Sequence, residues 1–213
     1  QGAEIFVHEI GAPHMLNPEK LIASATRIYG DRMESLWGEF LPVPQNQLKV
    51  PKDAQEIVIG NLRFLPIQTP GHAEHHFSYL FEDILFCGDV GGVRIPGYPY
   101  LRVPMPPPEL HLERWHESIA RLRKEKFSRI APTHFGIFED VEWHLSEMER
   151  SLSSAERWME QAMPSEPPID ELRQSFTEWM MAEAQEMGLD EDVLRAYEVA
   201  NPLGMSADGM LRY

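Results

Sequence analysis

At 213 residues, 43% of them hydrophobic and 25% charged, the chain can bury a sizeable core and suits one domain with an appendage or two small ones. A formal net charge of −15 works against nucleic acid as a partner, because binding a phosphate backbone draws on clusters of Lys and Arg. No apolar run reaches bilayer length and no basic stretch followed by an apolar segment marks a signal peptide, so the expectation is a cytoplasmic chain with no membrane partner.

The chain starts at Gln1 rather than Met, and Glu4-Ile5-Phe6-Val7-His8 already reads as a strand, which leads us to expect a segment upstream of this sequence. Asn17 and Pro18 then form a helix start, and Leu21, Ile22, Ala25, Ile28 and Tyr29 recur at helical spacing. They predict a helix over about 18–30, continuing with a break toward Phe40 and ended by Pro42 and Pro44. From Glu56 the pattern becomes extended: 56–60, a turn at Asn61, then 62–68.

Next comes Thr69-Pro70-Gly71-His72-Ala73-Glu74-His75-His76, with three imidazoles in five positions. Phe77 to Phe81, an acidic turn at Glu82-Asp83, and Ile84 to Cys87 predict a hairpin whose second strand delivers Asp89. Cys87, the single cysteine, rules out an intrachain disulfide and reads as a small buried hydrophobe. Residues 90–108 are rich in Gly and Pro and read as an irregular loop, of the kind that is functional or disordered. A helix is predicted over 109–126, since Leu112, Trp115, Ile119 and Leu122 share one face, and a short strand then leads to His134.

Beyond His134 the character changes. Val141, Leu145, Met148, Leu152, Ala155 and Met159 form the apolar seam of a helix that must lie against a partner surface, either the cleft or a second subunit in a homodimer. Pro164, Pro167 and Pro168 interrupt; Leu172, Phe176, Met180 and Met187 mark a second helix, and Asp190-Glu191-Asp192 opens a third that runs to about Ala200. Between Glu139 and Glu198 there are 17 acidic and 4 basic residues, which reads as the solvated face of a helical appendage over 141–213.

Three segments share one form, a strand ending in a potential metal ligand: before His72, before Asp89 and before His134. Imidazole and carboxylate suit zinc, iron or manganese, so these three are expected to converge on metal. His75 and His76 have two readings, either as neighbours of the metals that contact substrate or as groups that orient the loop by hydrogen bonds. His8 and His14 are candidates for lining the cleft; Arg94, Tyr98 and Arg102 are candidates for touching a substrate, with Met105 and the prolines as an apolar wall. His111, His116 and His144 read as helix-surface residues.

Thr-Pro-Gly-His at 69–72, Phe-Cys-Gly-Asp at 86–89 and Pro-Thr-His-Phe-Gly at 132–136 resemble the later ligand motifs of the metallo-β-lactamase superfamily of hydrolases. The resemblance covers about residues 4–140 and implies an α/β fold, a partial metallo-β-lactamase αββα sandwich over 1–140 followed by the acidic helical appendage. It further implies two divalent ions, zinc first with iron or manganese as alternatives. His72 would bind one, His134 the other, and Asp89 would bridge them as the catalytic carboxylate. A metal-held hydroxide would then attack a small-molecule ester, thioester or lactone.

The family's His-x-His-x-Asp-His motif is absent, and His8 to His14 lacks its spacing and its Asp-His pair. We therefore expect an N-terminal portion of roughly 70 to 110 residues upstream or on another chain, about two-thirds of a typical domain. Without it, residues 1–213 should bind metal poorly and expose apolar surface. The alternatives are a di-iron oxygen or nitric-oxide reductase of the same fold, working with a flavin partner, and a non-catalytic scaffold with an incomplete metal site.

Overall fold

The structure, a computed structural model, describes residues 2–213; Gln1 and the side chain of Ile28 lie outside that description. The chain divides into two compact units, Gln1–Gln55 and Glu56–Tyr213. In the first, β1 (Ile5–Phe6) and β2 (Leu48–Lys49) pair in parallel. Between them lie α1 (Ala12–Leu16), α2 (Glu19–Tyr29) and α3 (Met33–Trp37). Helix α2 has Pro18 rather than the predicted Asn17 as its N-cap, and the Asn17 side chain accepts from the Glu19 N–H. The expected break falls at Gly30, which ends α2; α1 was not predicted.

The second unit carries a five-stranded sheet in the order β3 (Ile57–Ile59), β4 (Leu62–Gln68), β5 (Phe77–Phe81), β6 (Ile84–Gly88), β7 (Arg129–Pro132). The first four strands are antiparallel neighbours, and β7 joins β6 in parallel after a crossover through α4 (Leu112–Leu122). Four positions, Ile67, Leu85, Cys87 and Ile130, are buried on one face, in a single core with Leu112, Trp115, Ile119 and Leu122 of α4. Burial also pushes the Cys87 thiol well above the usual range, so it behaves as a small hydrophobe. The opposite face is aromatic: Phe64 stacks on Phe81 with ring centres 4.8 Å apart, and Phe86 is exposed.

Four helices complete this unit: α5 (Val141–Ala162), α6 (Ile169–Glu186), α7 (Glu191–Ala200) and α8 (Leu203–Met210), the last not predicted. The unit boundary falls at 55/56 rather than at 140/141, and the physical reason is the loop after Asp89. That loop is irregular as expected, but Val90, Val93, Tyr100, Leu101, Val103 and Met105 are buried, joined in one core to Leu145, Met148 and Leu152 of the α5 seam. Each such large apolar side chain contributes about 1.5–3 kcal/mol on burial, so the seam's partner surface lies within this unit. Among the described residues no helix is long and apolar enough to cross a membrane.

Candidate metal centre

The loop between β4 and β5 is closed at its base by backbone and side chains together. The Thr69 N–H donates to the His76 carbonyl at 3.0 Å, and the buried Thr69 hydroxyl lies 2.8 Å from His76 Nδ1 and 2.9 Å from Ser78 Oγ. Helix α4 holds the loop from beneath, Ser118 Oγ donating to the Pro70 carbonyl and the His111 N–H to that of Gly71. A Cβ at Gly71 would sit 2.4 Å from Cβ of Trp115, and φ there is +146°, so only glycine lets the chain pass so close to the helix. That passage delivers His72, whose ring meets Trp115 edge-on at 5.8 Å.

His72 Nδ1 lies 2.9 Å from the Pro104 carbonyl oxygen, which can only accept, so Nδ1 carries a proton and in the neutral ring Nε2 presents its lone pair. That lone pair faces Asp89 Oδ2 at 3.7 Å, and the other oxygen, Oδ1, lies 3.7 Å from Nε2 of His134 beyond β7. An imidazole lone pair and a carboxylate oxygen are both electron-rich and stand too far apart to hydrogen-bond. Two metal bonds of about 2.0–2.2 Å meeting at a tetrahedral angle span about 3.3–3.6 Å, close to these gaps. The donors therefore fit two ions sharing one carboxylate. Among the described residues no group of three His, Cys, Asp or Glu side chains converges on one ion. His72, Asp89 and His134 would offer two donors at each of two positions, short of the four that a closed zinc site uses.

A cavity of about 430 Å³ opens beside these groups, lined by His72, His75, Asp89, Phe77 and the prolines 106–108. His75 is exposed on its rim, its Nδ1 3.1 Å from Glu109 Oε2. His76 also lines the cavity and packs against Gly88, where an added Cβ would be 2.5 Å from its Nε2. Burial, reinforced by the imidazoles of His72 and His75, pulls the pKa of His76 down to about 3, so the ring is neutral. Its bonds are to the loop base, which fits the loop-orienting reading.

Several expected contacts are committed elsewhere. Arg94 is buried, its two terminal nitrogens on the Asp140 carboxylate and its guanidinium packed on the rings of Phe138 and Trp143. Arg102 is 0% exposed and directed at Glu198 and the Asn201 carbonyl, not toward the cavity. Tyr98 packs half-buried on the core, and Met105 is buried rather than forming the cavity wall, which the prolines supply. His8 and His14 belong to the first unit, where His8 Nδ1 accepts from the Ile10 N–H.

His144, read from sequence as a surface residue, is 0% exposed, and its Nε2 donates to the Gly91 carbonyl at 2.7 Å, holding the turn that follows Asp89. Burial pushes its pKa down to about 4. Its place beside Leu145 in the seam was the signal for this burial. His116 lies between Glu149 and Glu156, and His111 pairs with Glu74. Sequence reasoning also passed over Pro104 and Glu109, because a proline carbonyl and a loop carboxylate acquire a role only through what the fold sets beside them.

A sequence profile of the family described as the metallo-beta-lactamase superfamily matches residues 2–134. A metallo-beta-lactamase fold-containing protein of Sulfurisphaera tokodaii is 31% identical over 132 residues, 61% of this chain and 49% of its own length. A hydroxyacylglutathione hydrolase of Shewanella halifaxensis is 38% identical over 72 residues, 33% of this chain and 25% of its own. Among solved structures, an archaeal metallo-beta-lactamase superfamily protein from Sulfolobus tokodaii aligns with a TM-score of 0.56 and 29% identity, over 71% of this chain and 57% of that one. A metallo-beta-lactamase family protein from Thermus thermophilus shares the fold at 20% identity and a TM-score of 0.51, over 75% of this chain and 55% of that one. The chain thus spans about half the length, or less, of the curated relatives it matches. On the profile match and these relatives together, the chain belongs to the metallo-beta-lactamase superfamily.

Proposed function

We propose that this chain carries one half of a binuclear metal centre, in a hydrolase that cleaves a small ester, thioester or lactone. The observation behind this reading is the Asp89 carboxylate, which turns one oxygen toward each of two imidazoles at 3.7 Å. His72 would hold one ion and His134 the other, with Asp89 offering an oxygen to each; zinc is the first expectation and iron or manganese the alternatives. When bound, the ions supply an acidified water and a Lewis acid for the substrate carbonyl.

The chain's own groups do the rest. The prolines 106–108 and Phe77 form the apolar side of the cavity and orient the acyl part of the substrate. His75, held through Nδ1 by Glu109, offers its other ring nitrogen to the leaving group as a hydrogen-bond partner. Similarity to a hydroxyacylglutathione hydrolase favours thioesters within this class, since an acylated glutathione is a thioester.

The test is elemental analysis of the intact protein together with a panel of neutral and anionic thioesters, esters and lactones. About two equivalents of metal and hydrolysis that stops on chelation are expected. Iron with flavin-dependent oxygen consumption would replace this reading by a reductase, and a protein that binds no metal would end it.

A further inference from the structure

The peptide group joining Pro104 to Met105 is held at both ends. Its carbonyl accepts from His72 Nδ1 at 2.9 Å, and its N–H donates to Ser206 Oγ on α8 at 3.2 Å. A trans peptide directs its C=O and N–H to opposite sides, so partners at both ends fix the rotation of the plane. Met105 and Ser206 are 2% and 1% exposed, so water has no ready access to take either place. Helix α8 also presses on the next carbonyl: a Cβ at Gly209 would lie 2.0 Å from the Met105 oxygen. The same stretch is pinned by α7, where Tyr197 OH donates to the Tyr100 carbonyl at 2.8 Å.

We propose that Ser206 is a positioning residue for His72, acting through this one peptide. By accepting the Met105 N–H, Ser206 keeps the Pro104 carbonyl aimed at Nδ1 and makes it a better acceptor, because hydrogen bonds in a chain polarise one another. The proton of His72 is thereby kept on Nδ1 and the lone pair of Nε2 toward Asp89. Without the hydroxyl the peptide keeps only one of its two fixing hydrogen bonds, and the proton can settle on Nε2, where a metal would have to bind. The acidic C-terminal region thus takes part in the site through α8. The functional consequence rests on His72 being a metal ligand; the relay itself does not.

The test is the tautomer of His72, read from long-range proton–nitrogen NMR of the intact, chelator-stripped protein. The wild type is expected to show a protonated Nδ1 and a bare Nε2, and Ser206→Ala a mixture of both tautomers. Zinc affinity should fall about tenfold in Ser206→Ala, the low end of what groups behind a metal ligand contribute. Asp208→Asn, which loosens α8 from Arg173 without touching the peptide, should lower the melting temperature and leave the tautomer unchanged. The isosteric pair Ser206→Thr and Ser206→Val, differing in the hydroxyl, makes the same comparison should alanine fail to fold. A wild-type tautomer in Ser206→Ala, or an equal change in Asp208→Asn, overturns the proposal. A shifted tautomer with zinc affinity unchanged from the wild type supports the relay and refutes the reading of His72 as a ligand.

Discussion

Asp140 grips Arg94 by two parallel hydrogen bonds of 2.7 Å each, joining the loop after Asp89 to the start of α5. The guanidinium lies 4.3 Å from the Phe138 ring centre and 4.2 Å from that of Trp143, so charge pairing and ring packing act on the same group. Arg94→Ala should lower the free energy of unfolding by about 2–3 kcal/mol, and Arg94→Lys should restore little, since an ammonium cannot make the paired contact. Urea unfolding checks both, and a change confined to KM would return Arg94 to the substrate.

Acid should weaken that pair in a defined direction. The Arg94 hydrogen bonds hold the Asp140 carboxyl below its ordinary value of 3.8. Its contribution is therefore complete above about pH 4 and is lost as pH falls through the lowered value. Asp140 is half-exposed, so solvent screening keeps the effect small. Asp140→Asn should be less stable at neutral pH and lack this acid-dependent part, measured as the difference between the two unfolding curves below pH 4.

A larger pH effect is expected at His144. Burial lowers its pKa from 6.5 to about 4, so between those values the unfolded chain binds a proton that the folded one does not. Stability should be full above pH 6.5 and fall as the pH drops through this window, by up to about 1.4 kcal/mol per pH unit. His76, lowered to about 3, adds a second proton of the same sign. His144→Asn should reduce the slope. Stability that is flat from pH 7 to pH 4 in urea titrations would show that neither ring is held neutral by the fold.

Substitutions at the proposed ligands should separate by what each contacts. His72→Ala and His134→Ala should each lose one of two ions, and Asp89→Ala, which faces both imidazoles, should lose both. His134 is about one-third exposed, so its variant should express normally while metal-dependent turnover falls at least about 100-fold. Full activity of His134→Ala would refute its assignment.

Gly71→Ala tests the loop's close passage over α4. The added Cβ would meet backbone and Cβ atoms of Trp115 at 2.4–2.6 Å, and neither can swing away. Loss of about 3 kcal/mol or more is expected in thermal or urea unfolding. Gly88→Ala meets the His76 ring instead, so its effect should appear first as displacement of that imidazole.

The strands at 57–88 and the α4 and α5 seams were legible because each repeats at its own period, two for the pleat and 3.6 for the helix. The turns that carry the proposed ligands His72 and Asp89 stood out because glycine directly precedes an imidazole or carboxylate at the end of a strand. Helix α8 escaped notice, since Leu203-Gly204-Met205-Ser206-Ala207 has no polar face to set against an apolar one. Arg94 and Arg102 were misplaced for a related reason. Gly- and Pro-rich composition predicts irregular backbone, which carries no information on whether helices distant in sequence will cover it.

By itself the sequence determined the strands of the five-stranded sheet, the α4 and α5 helices, the family and the three side chains that follow β4, β6 and β7, because local periodicity and short motifs carry all of these. The tertiary structure alone decided that Arg94 and Arg102 would turn away from the cavity and that His144 would be a buried anchor. It also decided that a proline carbonyl, aligned by a serine about a hundred residues away, would place the proton of His72. Those properties belong to distances between segments remote in the chain, and no local pattern encodes a distance that only packing creates.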